Sequence, residues 1–328
     1  MIAEPEAHML RAPRVFLDLR DVIEVCRVRQ GVRHPGSLHR REYERISSAV
    51  ARGLCTVLFN PAVIAEFADA PTRVEPWNDV VDFFTTAPSV LEVDSLHAYT
   101  FELVDEVRRL APTIGLPSVP ILRAPGEWSA ATMELLAHHP DWSRHGKLQP
   151  LSKPKNIALR DWAESMRRMT RREPETLQAR VDGWRESVAQ TRPYFRTVAK
   201  DDIAAAAIVH WMKHANRLDA IIASAAPTVD VEQLLARVDI RRCPAAYAFI
   251  RAFWVYVREL GERAPNDNDG DDWVQIPAIV HADFALIEKR LRHYVTAGSP
   301  ELAHRVFTKP ADLLAALDLP DGVSSVSL

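Results

Sequence analysis

Three consecutive apolar residues, Val15, Phe16 and Leu17, run straight into Asp18. A short unbroken apolar run is the signature of a buried strand, and the aspartate that follows has no apolar reason to be there. A carboxylate at the tip of a central strand lies where open α/β folds bind their ligands. Asp18 therefore reads as a candidate metal-binding acid. A plainer role is open to it and to Asp21, because either side chain could cap the helix that follows.

The next segments repeat the pattern. Helical spacing through Val22, Ile23, Val25 and Cys26 carries the chain to Val28, and Gly31 to Gly36 breaks it. Ser37 can cap a second helix that runs to Arg52, and Gly53 stops it. Cys55 to Phe59 is a second buried strand. Asn60-Pro61 then opens a helix in which Glu66 sits about one and a half turns inside. In a parallel sheet Asp18 and Glu66 both reach the carboxyl edge. Two acids there repel each other, and a cation between them relieves the repulsion. Glu66 could equally belong to a solvated helix face.

Further along, the spacing predicts a helix from Asn78 to Thr85 and a strand from Val90 to Val93. A helix from Ala98 to Leu110 follows, with Glu102, Asp105 and Glu106 exposed. Prolines at 112, 117, 120 and 125 mark an irregular surface connection. Residues 126 to 260 read as nearly all helical, and the stretch Arg160 to Arg192 as two helices separated by Pro174. Arg167, Arg168, Arg171 and Arg172 form one basic face that could track a phosphate backbone. The same face could be plain solvated surface, partly neutralised by Asp161, Glu164 and Glu173. Asp201-Asp202 caps an alanine-rich helix carrying His210 and His214. Their four-residue spacing suits a metal, but Trp211 stands where a zinc-protease helix needs glutamate, so they read as core-edge histidines. After the polar loop Arg263 to Asp271, a helix from Asp272 to His281 and a strand at Phe284 to Ile287 restore the α/β alternation. The helix Ala311 to Leu317 follows.

Composition sets outer limits. The chain has 328 residues, 47% of them hydrophobic, enough for one large core or two. A net charge of −3 excludes indiscriminate polycationic binding of nucleic acid, so any such surface must be local. Cys26, Cys55 and Cys243 form no C-x-x-C pair, which argues against a zinc or disulfide framework and for a reducing, cytoplasmic setting. The first residues lack a signal-peptide core, and Arg251 and Arg258 interrupt the longest apolar stretch, so no membrane span is expected.

Taken in order, V-F-L-D at 15–18, N-P-A-V-I-A-E-F at 60–67 and D-W-V-Q-I-P-A-I-V-H-A-D-F-A-L-I-E-K-R-L at 272–291 resemble the acidic segments of PIN-like ribonuclease domains. The resemblance covers roughly residues 14 to 110 and 263 to 318. Asp272 matches the first acid of the third segment, Gln275 stands in place of a histidine, Asp283 matches a second acid and Glu288 a third. What the resemblance implies is an α/β fold, a PIN-like central parallel sheet flanked by helices. That domain would be discontinuous, built from 1–125 and 261–328, with 126–260 as an all-helical insertion. It also implies a metal-dependent endoribonuclease that holds Mg²⁺ or Mn²⁺ through Asp18, Glu66 and Asp272. Asp283 or Glu288 would complete the set, and Asp271 could replace Asp272. RNA is the implied substrate, with DNA not excluded, and a toxin or defence role with a protein partner or antitoxin is implied too. Two alternatives stand beside it. One is a catalytically inactive PIN-like binding or assembly module. The other is a haloacid dehalogenase-like phosphatase, suggested by F-L-D and a later G-D-D; there Arg20 occupies the general-acid position, and a guanidinium cannot donate a proton at neutral pH.

Overall fold

The computed structural model describes residues 12–31, 39–60, 75–93, 98–125, 129–139, 174–199, 217–266 and 269–318, with the single positions 127, 160, 161 and 164. Six strands form one sheet: β1 (Arg14–Leu17), β2 (Thr56–Phe59), β3 (Val90–Val93), β4 (Leu122–Arg123), β5 (Phe284–Leu286) and β6 (Val306–Phe307). Their order is β4-β3-β2-β1-β5-β6, with every pairing parallel except that of the edge strand β4 with β3. The continuous apolar runs at 15–17 and 56–59 are buried throughout, as two-sided cover by helices requires. The chain first builds leftward from β1 to β3 and then returns to the other side of β1 with β5. The junction of β1 and β5 is thus the point where the strand order reverses.

Two groups of helices flank the sheet. In the first, α1 (Leu19–Arg29) packs on α2 (Arg40–Ala51) and α3 (Glu75–Thr86). In the second, α4 (Ala98–Leu110) lies against a long central helix from Pro244 to Leu260. Between them in sequence come α5 (Ala130–Ala137), α6 (Pro174–Thr197), α7 (Leu218–Ala225) and α8 (Val231–Leu235), so the central helix is α9. Three short helices, α10 (Asp269–Trp273), α11 (Ile276–His281) and α12 (Lys289–Gly298), precede the last, α13 (Pro310–Ala316).

Several expectations are corrected here. The boundary at 260 does not separate two cores, because α9 packs on α4, α6, α11 and α12 within one apolar cluster that also holds the strands. Its residues Ala245 to Val257 are apolar on nearly every side, so the helix is central to the core. Pro174 does not divide two helices but begins α6, where its missing N–H costs nothing. The proline-rich connection contains the edge strand β4. The region around 306 supplies a sixth strand.

Glu102 and Glu106 are buried, not exposed. Glu102 accepts the Ala245 amide at 2.9 Å on each carboxylate oxygen and the Ala246 amide at 3.0 Å, so it caps α9 from a neighbouring helix. His281 Nε2 lies 2.9 Å from the same carboxylate. Glu106 is tied to Arg109 at 2.7 Å and Arg242 at 3.0 Å, which lowers its pKa, the Arg109 bond most of all. Helical periodicity marks a polar position as outward-facing; it carries no sign of a partner helix end waiting for a carboxylate.

The tightest helix contact is at Gly298, the last residue of α12. A Cβ there would meet Ala252 N at 2.6 Å and Arg251 C at 2.7 Å, both backbone atoms of α9 that cannot yield. Gly298→Ala should therefore cost about 1–3 kcal/mol. Gly183→Ala, exposed in α6 with nothing within 4 Å, should instead gain about 0.5–1 kcal/mol from helix propensity. Denaturant unfolding of the two variants reads both signs, and equal stabilities would refute the close-approach account.

Candidate functional site at the carboxyl edge of the sheet

Asp18 leaves β1 in an extended conformation, φ −62° and ψ 157°, and opens α1. Its amide donates to Leu286 O at 3.0 Å, which fixes the aspartate beside the carboxyl end of β5. Oδ1 accepts the Leu19 amide at 2.6 Å and Gln275 Nε2 at 3.4 Å. The capping role is real, and it coexists with burial beside other acids. Burial pushes the Asp18 pKa up, and Glu288 adds to the rise; the Leu19 amide, Arg20 and Gln275 oppose it.

Glu288 arrives at the same edge one residue past Ile287, as the residue that opens α12. Unlike Asp18, it makes no side-chain capping bond, so its carboxylate is left to face its neighbours. Asp272 comes from α10. Its carboxyl is pushed up to about 7, first by burial and then by the charge of Glu288; Arg290 opposes, and Asp18 adds a smaller push. Arg290 Nη2 donates to Asp272 Oδ2 at 3.2 Å, and its Nε lies 3.7 Å from Glu288 Oε1. One guanidinium thus bridges two of the three acids.

The segment carrying Asp272 and Gln275 is anchored from several sides. Trp273 is buried and meets Trp184, Phe249, Phe253, Tyr256 and Tyr294 with ring centroids 5.2–6.1 Å apart. Tyr99 Oη donates to Trp273 O at 3.4 Å, and the buried Asn60 Nδ2, past the end of β2, donates to Val274 O at 2.9 Å. Gln275 Oε1 is buried without a hydrogen-bond partner, an acceptor facing the acids' surroundings with nothing to accept.

The residues expected to act together divide clearly. Asp18, Asp272 and Glu288 converge. Asp283 does not: it precedes β5 at the amino edge, about 13 Å of strand from Glu288's end. There Arg14 holds it by its amide at 2.7 Å and by Nη2 at 2.7 Å. The choice left open between Asp283 and Glu288 falls to Glu288, because strand direction carries the two acids to opposite edges. Glu66, Arg167, Arg168, Arg171, Arg172, His210 and His214 lie outside the described residues, as does the side chain of Asp271. Asn60, Tyr99 and Arg290 escaped sequence reasoning. Asn60 had read only as a helix opener, and a role for Arg290 depends on contacts 18 residues back along the chain.

Carboxylates and an amide oxygen are the hard donors that Mg²⁺ and Mn²⁺ take, and the orphaned Gln275 Oε1 adds to that fit. Among the described residues, no three His, Cys, Asp or Glu stand close enough to hold an ion by themselves. Arg290 supplies the positive charge instead.

Asp21, one turn into α1, shows what burial of acid does to stability here. It is fully buried, accepts the Tyr43 hydroxyl at 2.6 Å and is pushed up to about 6, chiefly by burial. Its folded-state pKa is raised, so between about pH 4 and 6 the folded state binds more protons than the unfolded one. Stability from this group therefore falls as pH rises through that window, by about 3 kcal/mol at most. Asp21→Asn should flatten the pH dependence of the unfolding midpoint between pH 4 and 6. An unchanged slope would show that Asp21 is not its source. No protein-family model, no curated protein and no solved structure matches the chain.

Proposed function

We propose that this chain is a metal-dependent endoribonuclease of PIN-like type, cleaving RNA phosphodiester bonds at the carboxyl edge of its sheet. The observation that carries the reading is the convergence of Asp18, Asp272 and Glu288 from three separate segments on the β1–β5 switch point. Acids that raise each other's pKa inside a cleft are the usual mark of a working site.

Asp18, Asp272 and Glu288 would hold Mg²⁺ or Mn²⁺, with Glu66 joining from the helix predicted after Pro61. A divalent cation there would supply a more acidic water and neutralise charge developing on the phosphate. The protein's own residues do the rest. Gln275 and the Leu19 amide orient Asp18, Asn60 and Tyr99 hold the backbone that presents Asp272, and Trp273 fixes that backbone against the core. RNA as substrate, and a growth-inhibiting role with a protein partner or antitoxin, rest on the resemblance of the acidic segments. The basic face at Arg167 to Arg172 would grip the phosphate backbone.

A second reading is an inactive binding or assembly module of the same fold. Arg290 favours it, because a guanidinium already neutralises Asp272 and Glu288.

Cleavage of a labelled mixed RNA pool separates the two. The purified protein should cut with Mn²⁺ and stop with chelator. Charge stabilisation of several kcal/mol makes Asp18→Asn slower by about 100-fold or more. Absence of cutting by folded protein on RNA and single-stranded DNA alike would select the inactive module.

A further inference from the structure

Arg290 sits where a cation should. Its Nη2 donates to Asp272 Oδ2 at 3.2 Å while its Nε lies 3.7 Å from Glu288 Oε1, and its side chain keeps 39% of its exposure. A guanidinium with two faces turned to two acids is a monovalent stand-in for the charge those acids lack. The half-open side chain has room to leave, since α12 carries it at the rim, two residues after Glu288. Two observations argue that it stands in for an ion and does not simply complete a structural ion pair. The third acid, Asp18, receives only neutral donors in its first contacts, from Leu19 and Gln275. Beside it, Gln275 Oε1 is 97% buried and unpartnered, an oxygen acceptor that Arg290's present contacts do not reach.

We propose that Arg290 is a built-in counter-ion that competes with a divalent cation for Asp272 and Glu288, so that the site alternates between an arginine-held and a cation-held state. The inference rests on the metal-site reading given above. The two states exclude each other by charge and by space: a cation taking the carboxylate oxygens of Asp272 and Glu288 removes the acceptors that Arg290 uses. The chain would then remain folded and its acids neutralised when cation is scarce. Cation affinity is reduced by the fraction of molecules in which Arg290 holds the acids.

Direct Mn²⁺ binding, counted by electron paramagnetic resonance on the intact chain, tests this without reference to RNA. Arg290→Gln should bind Mn²⁺ about tenfold tighter than wild type and should melt at a lower temperature in chelator, with a larger upward shift on adding Mn²⁺. Arg290→Lys, which keeps the charge, should stay near wild type in affinity. Should Arg290→Gln fail to fold, the wild-type chain still answers by nuclear magnetic resonance. Added Mg²⁺ should accelerate solvent exchange at the Arg290 Nε–H. Equal or weaker Mn²⁺ affinity in Arg290→Gln, or an Nε–H signal indifferent to Mg²⁺, would overturn the competition while leaving the metal site intact. Absence of Mn²⁺ binding to wild type and Arg290→Gln alike overturns the competition together with the metal-site reading. RNA cleavage that persists in chelator would overturn only the latter.

Discussion

The parallel pairing of β1 with β5 brings together residues almost the whole chain apart, Leu17 with Leu286, and the rest of the molecule depends on it. It closes the sheet around the most buried strand. It also sets Asp18 and Glu288 side by side at one edge while sending Asp283 to the other. Strand direction alone thus decides which acids can cooperate. The crossover that reverses the strand order there leaves a cleft beside the β1–β5 junction, and the acids line it.

Acids in that cleft would be costly without the scaffold that holds them. Burial disfavours their charged forms, and each charge disfavours the next. The fold answers with two devices. Arg290 contributes a charge, and Trp273 contributes rigidity, its indole locked among five aromatic neighbours so that Asp272 cannot retreat into solvent. Asn60 and Tyr99 hold the adjacent carbonyls from two other elements. A site whose own charges oppose it survives only when the surrounding contacts over-determine its geometry.

The same economy of carboxylates appears at α9. Glu102 satisfies amides at the start of this buried helix from a neighbouring helix and holds His281 as well, so three helices meet on one side chain. That junction ties the stretch before residue 260 to the sheet-bearing core. It explains why 126–260 does not end as a separate body at its carboxyl side.

What the sequence determined by itself was local. Unbroken apolar runs named β1, β2, β3 and β5, because a strand buried on both faces has no alternative composition. Helical spacing named α1, α2, α4 and α9, and the position of Asp18 straight after a strand marked it as a candidate acid. The two-residue strands β4 and β6 were illegible, being too short to show a period. Burial of Glu102 and Glu106 was illegible as well, because their partners lie more than 130 residues further along the chain. Only the tertiary structure decided that Glu288 and not Asp283 joins Asp18 and Asp272, and that Arg290 neutralises two of them. The physical reason is the same in each case: apolar periodicity records how a segment meets the core, whereas the pairing of charges is set by strand order and direction.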